Sequence, residues 1–192
     1  MRILGIVCSP RKDGNTEILV REALEAAREA GSETELILVA DKTISPCDGC
    51  GSCLKSGICK IQDDMQVIYE QLELADGVIF GTPVYFLNVT AQAKTVIDRT
   101  YSFAGVRKLR GKVAAAIIAT RRVGAGQVLN LLYGFFTAHR MLIAGGGVGY
   151  GMEKGEVREG PGMSHSLTAM QEARAIGKAV VRMIDQLSKG KN

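Results

Sequence analysis

The sequence predicts an α/β fold: a five-stranded parallel sheet in strand order 2-1-3-4-5, covered by helices on both faces. Two observations carry this. Apolar runs of strand length alternate with helix-period segments along the whole chain. The runs are continuously apolar rather than alternating, as strands buried on both faces require. The chain has 192 residues, 46% of them hydrophobic and 23% charged. That suits a single domain over 1–192 with a full core, and excludes disordered, collagen-like and coiled-coil classes.

The elements follow in order. Arg2–Cys8 is a buried strand, and Glu17–Ala30 is an amphipathic helix stopped by Gly31. Thr34–Val39 is the second strand. A cysteine-rich insertion occupies about 44–62. Asp63–Leu74 is a helix with Asp63 and Asp64 placed to cap its positive end. Gly77–Phe80 is the third strand, Val89–Tyr101 a helix, Lys112–Ala119 the fourth strand and Gly126–Ala138 a helix. Arg140–Ala144 is a short fifth strand, and Ser164–Leu187 a closing helix. Gly145–Gly162 is the least structured stretch, a candidate arm, lid or subunit contact.

In such a sheet ligands bind outside the carboxyl ends of the strands, where strand order reverses. The loops after strands 1, 3 and 4 are therefore the candidate site. Ser9-Pro-Arg-Lys-Asp-Gly-Asn-Thr16 follows strand 1. Ser9, Arg11, Asn15 and Thr16, with the N–H groups of a helix start, make a phosphate cradle. The chain has neither a P-loop nor a G-x-G-x-x-G fingerprint. After strand 3, Thr82, Pro83 and Val84 lead to Tyr85 and Phe86, which suit a flat ring. Asn88 suits a ring edge or a helix cap. After strand 4, Thr120 and Arg121 precede Gly124 and Gly126. These glycines let backbone approach a ligand, and a cation there would stabilise an anionic ring.

Cys47, Cys50, Cys53 and Cys59 have the spacing C-x2-C-x2-C-x5-C. Three thiolates three residues apart, closed by a fourth, suit one [4Fe–4S] cluster. Lys60 follows the fourth, where ferredoxins have proline and a second set. Zinc on all four is crowded, because structural zinc sites usually separate two C-x2-C pairs by a longer span. Free thiols or a disulfide are the remaining alternatives. Cys8, ending strand 1, reads as core packing. His139 and His165 read as structural or exposed, and Lys94 with Asp98 as a surface pair.

The net charge is +4 and the basic residues are dispersed, with only five Phe and five Tyr. This argues against nucleic acid and suits an anionic cofactor or an acidic redox partner. No run approaches the roughly 18 apolar residues of a membrane span, and no secretory leader is visible. Cytoplasmic location, with no membrane partner, is the expectation.

Taken together, Ser9–Thr16, the four-cysteine motif followed by Asp63-Asp64-Met65, Thr82–Tyr85 and Lys94…Asp98-Arg99 resemble the iron–sulfur flavoproteins of the NADPH-dependent FMN reductase group. The resemblance implies a flavodoxin-like three-layer sandwich. It implies FMN with its phosphate in the first loop and its ring between the loops after strands 3 and 4. It also implies one [4Fe–4S] cluster and a homodimer or homotetramer. Gly126-Gln127 matches the third loop's pattern, but Arg121-Arg122 departs from it. The expected function is electron transfer between a one-electron carrier, such as a ferredoxin, and a two-electron small-molecule acceptor. The alternatives are an NAD(P)H-dependent flavin or quinone reductase without a cluster, and a zinc-stabilised non-catalytic module.

Overall fold

The computed structural model describes residues 1–164 and 166–190, so the reading of His165 lies outside the described residues. Strands β1 (Arg2–Val7), β2 (Glu33–Leu38), β3 (Gly77–Pro83), β4 (Val113–Thr120) and β5 (Leu142–Tyr150) form one parallel sheet in the order β2-β1-β3-β4-β5. This is the predicted topology. Registers such as Ile3 opposite Gly77 and Gly77 opposite Val113 bring the strands' C-terminal ends to one rim.

Strand alternation sorts the core into two layers. Leu4, Ile6, Val78, Phe80, Ala114, Ala116 and Ile118 face one side. There they meet α3 (Met65–Leu74), α4 (Ala91–Arg99) and α6 (Ala125–Ala138). Ile3, Val7, Ile79, Val113, Ala115 and Ile117 face the other side, against α1 (Asn15–Glu29) and α7 (Ala169–Lys189). Two four-residue helices, α2 (Cys53–Ser56) and α5 (Tyr101–Ala104), were not expected from periodicity. The last helix starts later than predicted, at a capping box. Thr168 Oγ1 accepts from Gln171 N, and Gln171 Oε1 accepts from Thr168 N.

The glycine-rich stretch is corrected in part: its first third is strand. β5 passes a bulge opposite Ala114/Ala115 and then continues through Gly145–Tyr150. Gly145 at the bulge has φ +146°, a conformation that L side chains rarely adopt. A Cβ on Gly146 would collide with Tyr133 of α6, and one on Gly149 would meet Leu19 of α1. Missing side chains that read as loop therefore admit helices on both faces of the sheet.

Among the described residues no helix is long and apolar enough to cross a membrane.

Candidate functional site

A cleft with a volume of about 230 Å³ opens at the C-terminal ends of β1, β3 and β4. Of the residues expected there, Ser9, Arg11, Asn15 and Thr16 line it from the first loop. Pro83, Val84 and Tyr85 line it from the second, and Thr120 and Arg121 from the third. Sequence reasoning missed Gly14, Ala119, Gly151, Met152 and Lys154, which complete it. The last three come from the arm after β5, which no local signal placed over the first loop.

The first loop ends at Gly14, the N-cap of α1, with extended φ/ψ and no side-chain cap. The first N–H groups of a 15-residue helix thus face the cleft region without an internal cap. Ser9 Oγ accepts from Arg11 N at 3.1 Å and shapes the turn. Asn15, in the cleft lining, also contacts the arm after β5. Its Nδ2 donates to Glu153 O at 2.9 Å, and its Oδ1 accepts from Gly155 N at 2.7 Å. The amide fastens the arm to the start of α1. Glu156 organises the same arm by accepting from Met152 N and from Glu153 N, the latter at 2.9 Å. These backbone donors hold its carboxyl below the usual range.

Five expected residues stand outside the cleft lining. Thr82 is fully buried, and its hydroxyl donates to Pro83 O at 3.1 Å. Phe86 is fully exposed. It and Leu87 occupy a two-residue hairpin tip at φ +47° and +65°, between paired Tyr85 and Asn88. Asn88 Oδ1 accepts from Val89 N at 2.8 Å. Gly124, at φ +97°, packs under Leu87 and Val84, and Gly126 lies in the first turn of α6.

The second site is the cysteine segment. All five thiols are free in the structure. Cys47, Cys50, Cys53 and Cys59 border one cavity of about 40 Å³, together with Asp98, Arg99, Tyr101 and Ser102. One water needs only about 10–15 Å³. Burial pushes the Cys53 thiol up, and the three neighbouring thiols add to it. Among the described residues, no three cysteine, histidine or acidic groups are placed to hold a single metal ion. Gly57, at φ +72°, ends α2 and lies against Val106, so the loop packs on the α5 region.

The expected side-chain cap on α3 is corrected: Asp64 holds the N-cap position but makes no side-chain cap hydrogen bond, and the two aspartates brace the preceding loop instead. Asp63 Oδ1 accepts from Met65 N at 3.0 Å and Oδ2 from Ser45 N at 2.8 Å, while Asp64 Oδ2 accepts from Thr43 N at 2.6 Å. Burial alone would raise the Asp63 carboxyl, but the hydrogen bonds from Arg99, Ser45 and Met65 bring it below its ordinary value. Arg99 was noted in sequence only as part of a pattern. Its side chain is fully buried, and its fork meets Asp63 at 2.7 and 3.1 Å. Lys94 and Asp98 form the expected exposed pair.

Cys8 is buried, and burial drives its thiol far up, as core packing implies. His139 is buried against Thr100 Oγ1 at 3.0 Å, and burial lowers its pKa.

The model of the family described as NADPH-dependent FMN reductase matches residues 1–153. The chain belongs to that family. An iron-sulfur flavoprotein of Methanocaldococcus jannaschii is 38% identical over 98% of this chain and 100% of its own. An NAD(P)H dehydrogenase (quinone) of Archaeoglobus fulgidus is 29% identical over 91% of this chain and 93% of its own. A crystal structure of RosB with a bound 8-demethyl-8-formylriboflavin-5'-phosphate intermediate superposes with a TM-score of 0.78 at 16% identity. It covers 98% of this chain and 81% of that one. The sheet order and the structural likeness give this chain a flavodoxin-like sandwich, and the chain is an oxidoreductase.

Proposed function

We propose that the chain is an FMN-binding redox flavoprotein that holds a [4Fe–4S] cluster on Cys47, Cys50, Cys53 and Cys59. It passes electrons between a one-electron carrier and a two-electron acceptor. The observation that carries this reading is a pair of cavities, one on strand ends and one against α4 and α5. One is a polar-to-apolar cleft on three strand ends; the other is bordered by all four clustered thiols.

The cleft fits FMN in its chemistry. Arg11, Ser9, Thr16 and the uncapped start of α1 suit a phosphate. Pro83, Val84 and Tyr85 offer a stiff wall for a ring, and Arg121 supplies a cation. Among the described residues no three cysteine, histidine or acidic groups are placed for a single ion, which favours a polynuclear group over one zinc as the occupant of four clustered thiols. A tetrahedral zinc with Zn–S near 2.3 Å needs its sulfurs about 3.8 Å apart, converging on a point. Bound FMN would store two electrons and the cluster would pass one at a time. The chain binds both, sets their surroundings and controls access to them.

Exposed Phe86, Leu87 and Val123 beside the cleft support a homodimer or homotetramer. The acceptor is a small molecule and the donor a ferredoxin-like carrier. A reducing cytoplasm suits a site that needs four thiolates.

An anaerobic preparation tests the proposal by visible spectrum and by flavin, iron, sulfide and zinc assays. One FMN with about four irons and four sulfides per chain is expected. A second reading, an NAD(P)H-dependent flavin or quinone reductase, is favoured by the quinone-dehydrogenase relative. It predicts flavin bleaching by NADPH with no iron present. One zinc and no flavin would instead indicate a non-catalytic module.

A further inference from the structure

We infer that Arg99 is a positioning residue for the cluster. It fastens both stems of the cysteine loop, and it sets a buried positive charge against the thiol cavity that makes the cluster easier to reduce. This rests on the preceding reading that the four thiols hold a [4Fe–4S] group.

The loop from Cys47 to Cys59 has two stems, and Arg99 grips both. Its Nη1 donates to Ser45 O at 2.8 Å, two residues before the first cysteine. Its Nη2 donates to Ile61 O at 3.1 Å, two residues after the last. Asp63 locks the guanidinium from below by two further hydrogen bonds and holds Ser45 N as well. Tyr69 Oη donates to Arg99 O at 2.7 Å and fixes the backbone behind it. A planar fork with five donors can bridge two strands and a carboxylate together; an ammonium cannot.

Charge gives the second half of the argument. Arg99 borders the thiol cavity and Asp63 does not, so the cationic member of the pair faces the cysteines. Asp48 and Asp98 also border the cavity, but each is matched by its own exposed lysine, Lys60 at 2.9 Å and Lys94 at 2.6 Å. Exposed pairs are screened by water and salt, whereas the buried guanidinium is not. Arg99 Nε is buried with no hydrogen-bond partner, a costly state that an acceptor in the cavity would relieve. Four thiolates leave the cluster anionic, and reduction adds negative charge. Net charge and hydrogen bonding nearby set the potential of such a group.

The test uses the full chain, loaded with FMN and anaerobically reconstituted with iron and sulfide. It reads the cluster's midpoint potential and the rate of iron loss to a chelator, with flavin content as the folding control. Arg99→Gln is expected to lose iron at least tenfold faster than wild type. Its reduction equilibrium should be at least tenfold less favourable, about 59 mV for one electron. Asp63→Asn removes the compensating negative charge and is expected to shift the potential upward. Where Arg99→Gln retains too little iron to titrate, Arg99→Lys decides. It keeps the charge but not the fork, so a wild-type potential with faster iron loss is expected. Wild-type potential and iron retention in Arg99→Gln overturn the inference, as do same-sign shifts in Arg99→Gln and Asp63→Asn. A lowered potential in Arg99→Lys overturns it too. A wild-type chain that takes up FMN but no iron or sulfide overturns the cluster reading instead.

Discussion

Asn15 shows how a residue's type can point to the right place without showing which backbone groups it meets there. An amide in a loop after the first strand suits a phosphate, and this one also ties the arm of Glu153 and Gly155 to the start of α1. Replacing it with alanine removes two hydrogen bonds, each worth about 1 kcal/mol net. The arm also carries Met152 and Lys154 to the cleft. Asn15→Ala is therefore expected to weaken FMN binding about 5–30-fold, measured by fluorescence titration, and to lower the urea midpoint modestly. The cysteine spacing was legible because its thiols lie close together in sequence. The role of Arg99 was not, because Asp63 and Ser45 are 36 and 54 residues away. Charge pairing at such a distance leaves no periodic trace.

At the scale of elements, the strands and long helices follow from hydrophobic period, and the misplaced boundaries have physical causes. The predicted fifth strand stopped at Ala144 because four glycines follow within five residues. Glycine lowers strand propensity, but here it yields room for α6 and α7. Gly177 makes the same point inside α7, where its interior position costs the helix about 1 kcal/mol relative to alanine. A Cβ there would collide with the backbone oxygen of Ala23 in α1. Gly177→Val should destabilise the fold by about 1–3 kcal/mol by forcing α1 and α7 apart, read as a lower urea midpoint at unchanged slope.

Across the whole molecule, the two cavities differ in what supports them. The cleft is built on strand ends and helix starts of the five-stranded sheet. The thiol cavity hangs between β2 and α3, held by Arg99, Asp63, Asp64 and the packing of α2 on α5. If the proposed cluster is present, chelating its iron should therefore leave far-ultraviolet circular dichroism and FMN content unchanged. Limited proteolysis should then cut between Cys47 and Cys59, where the metal-loaded protein resists. Loss of the sheet signal on chelation would show that the loop is part of the folding core.

The sequence by itself determined the layer order of the sandwich, the three loops of the cleft and the thiols of the second cavity. Each is written in local pattern: strand-length apolar runs, a polar turn before a helix, cysteines three residues apart. Only the tertiary structure decided that Asn15 holds an arm, that Phe86 points outward from a left-handed hairpin tip, and that Arg99 closes the cysteine loop. Those outcomes depend on which distant backbone groups arrive beside each side chain. Hydrogen bonds and packing select these partners only once the chain has folded.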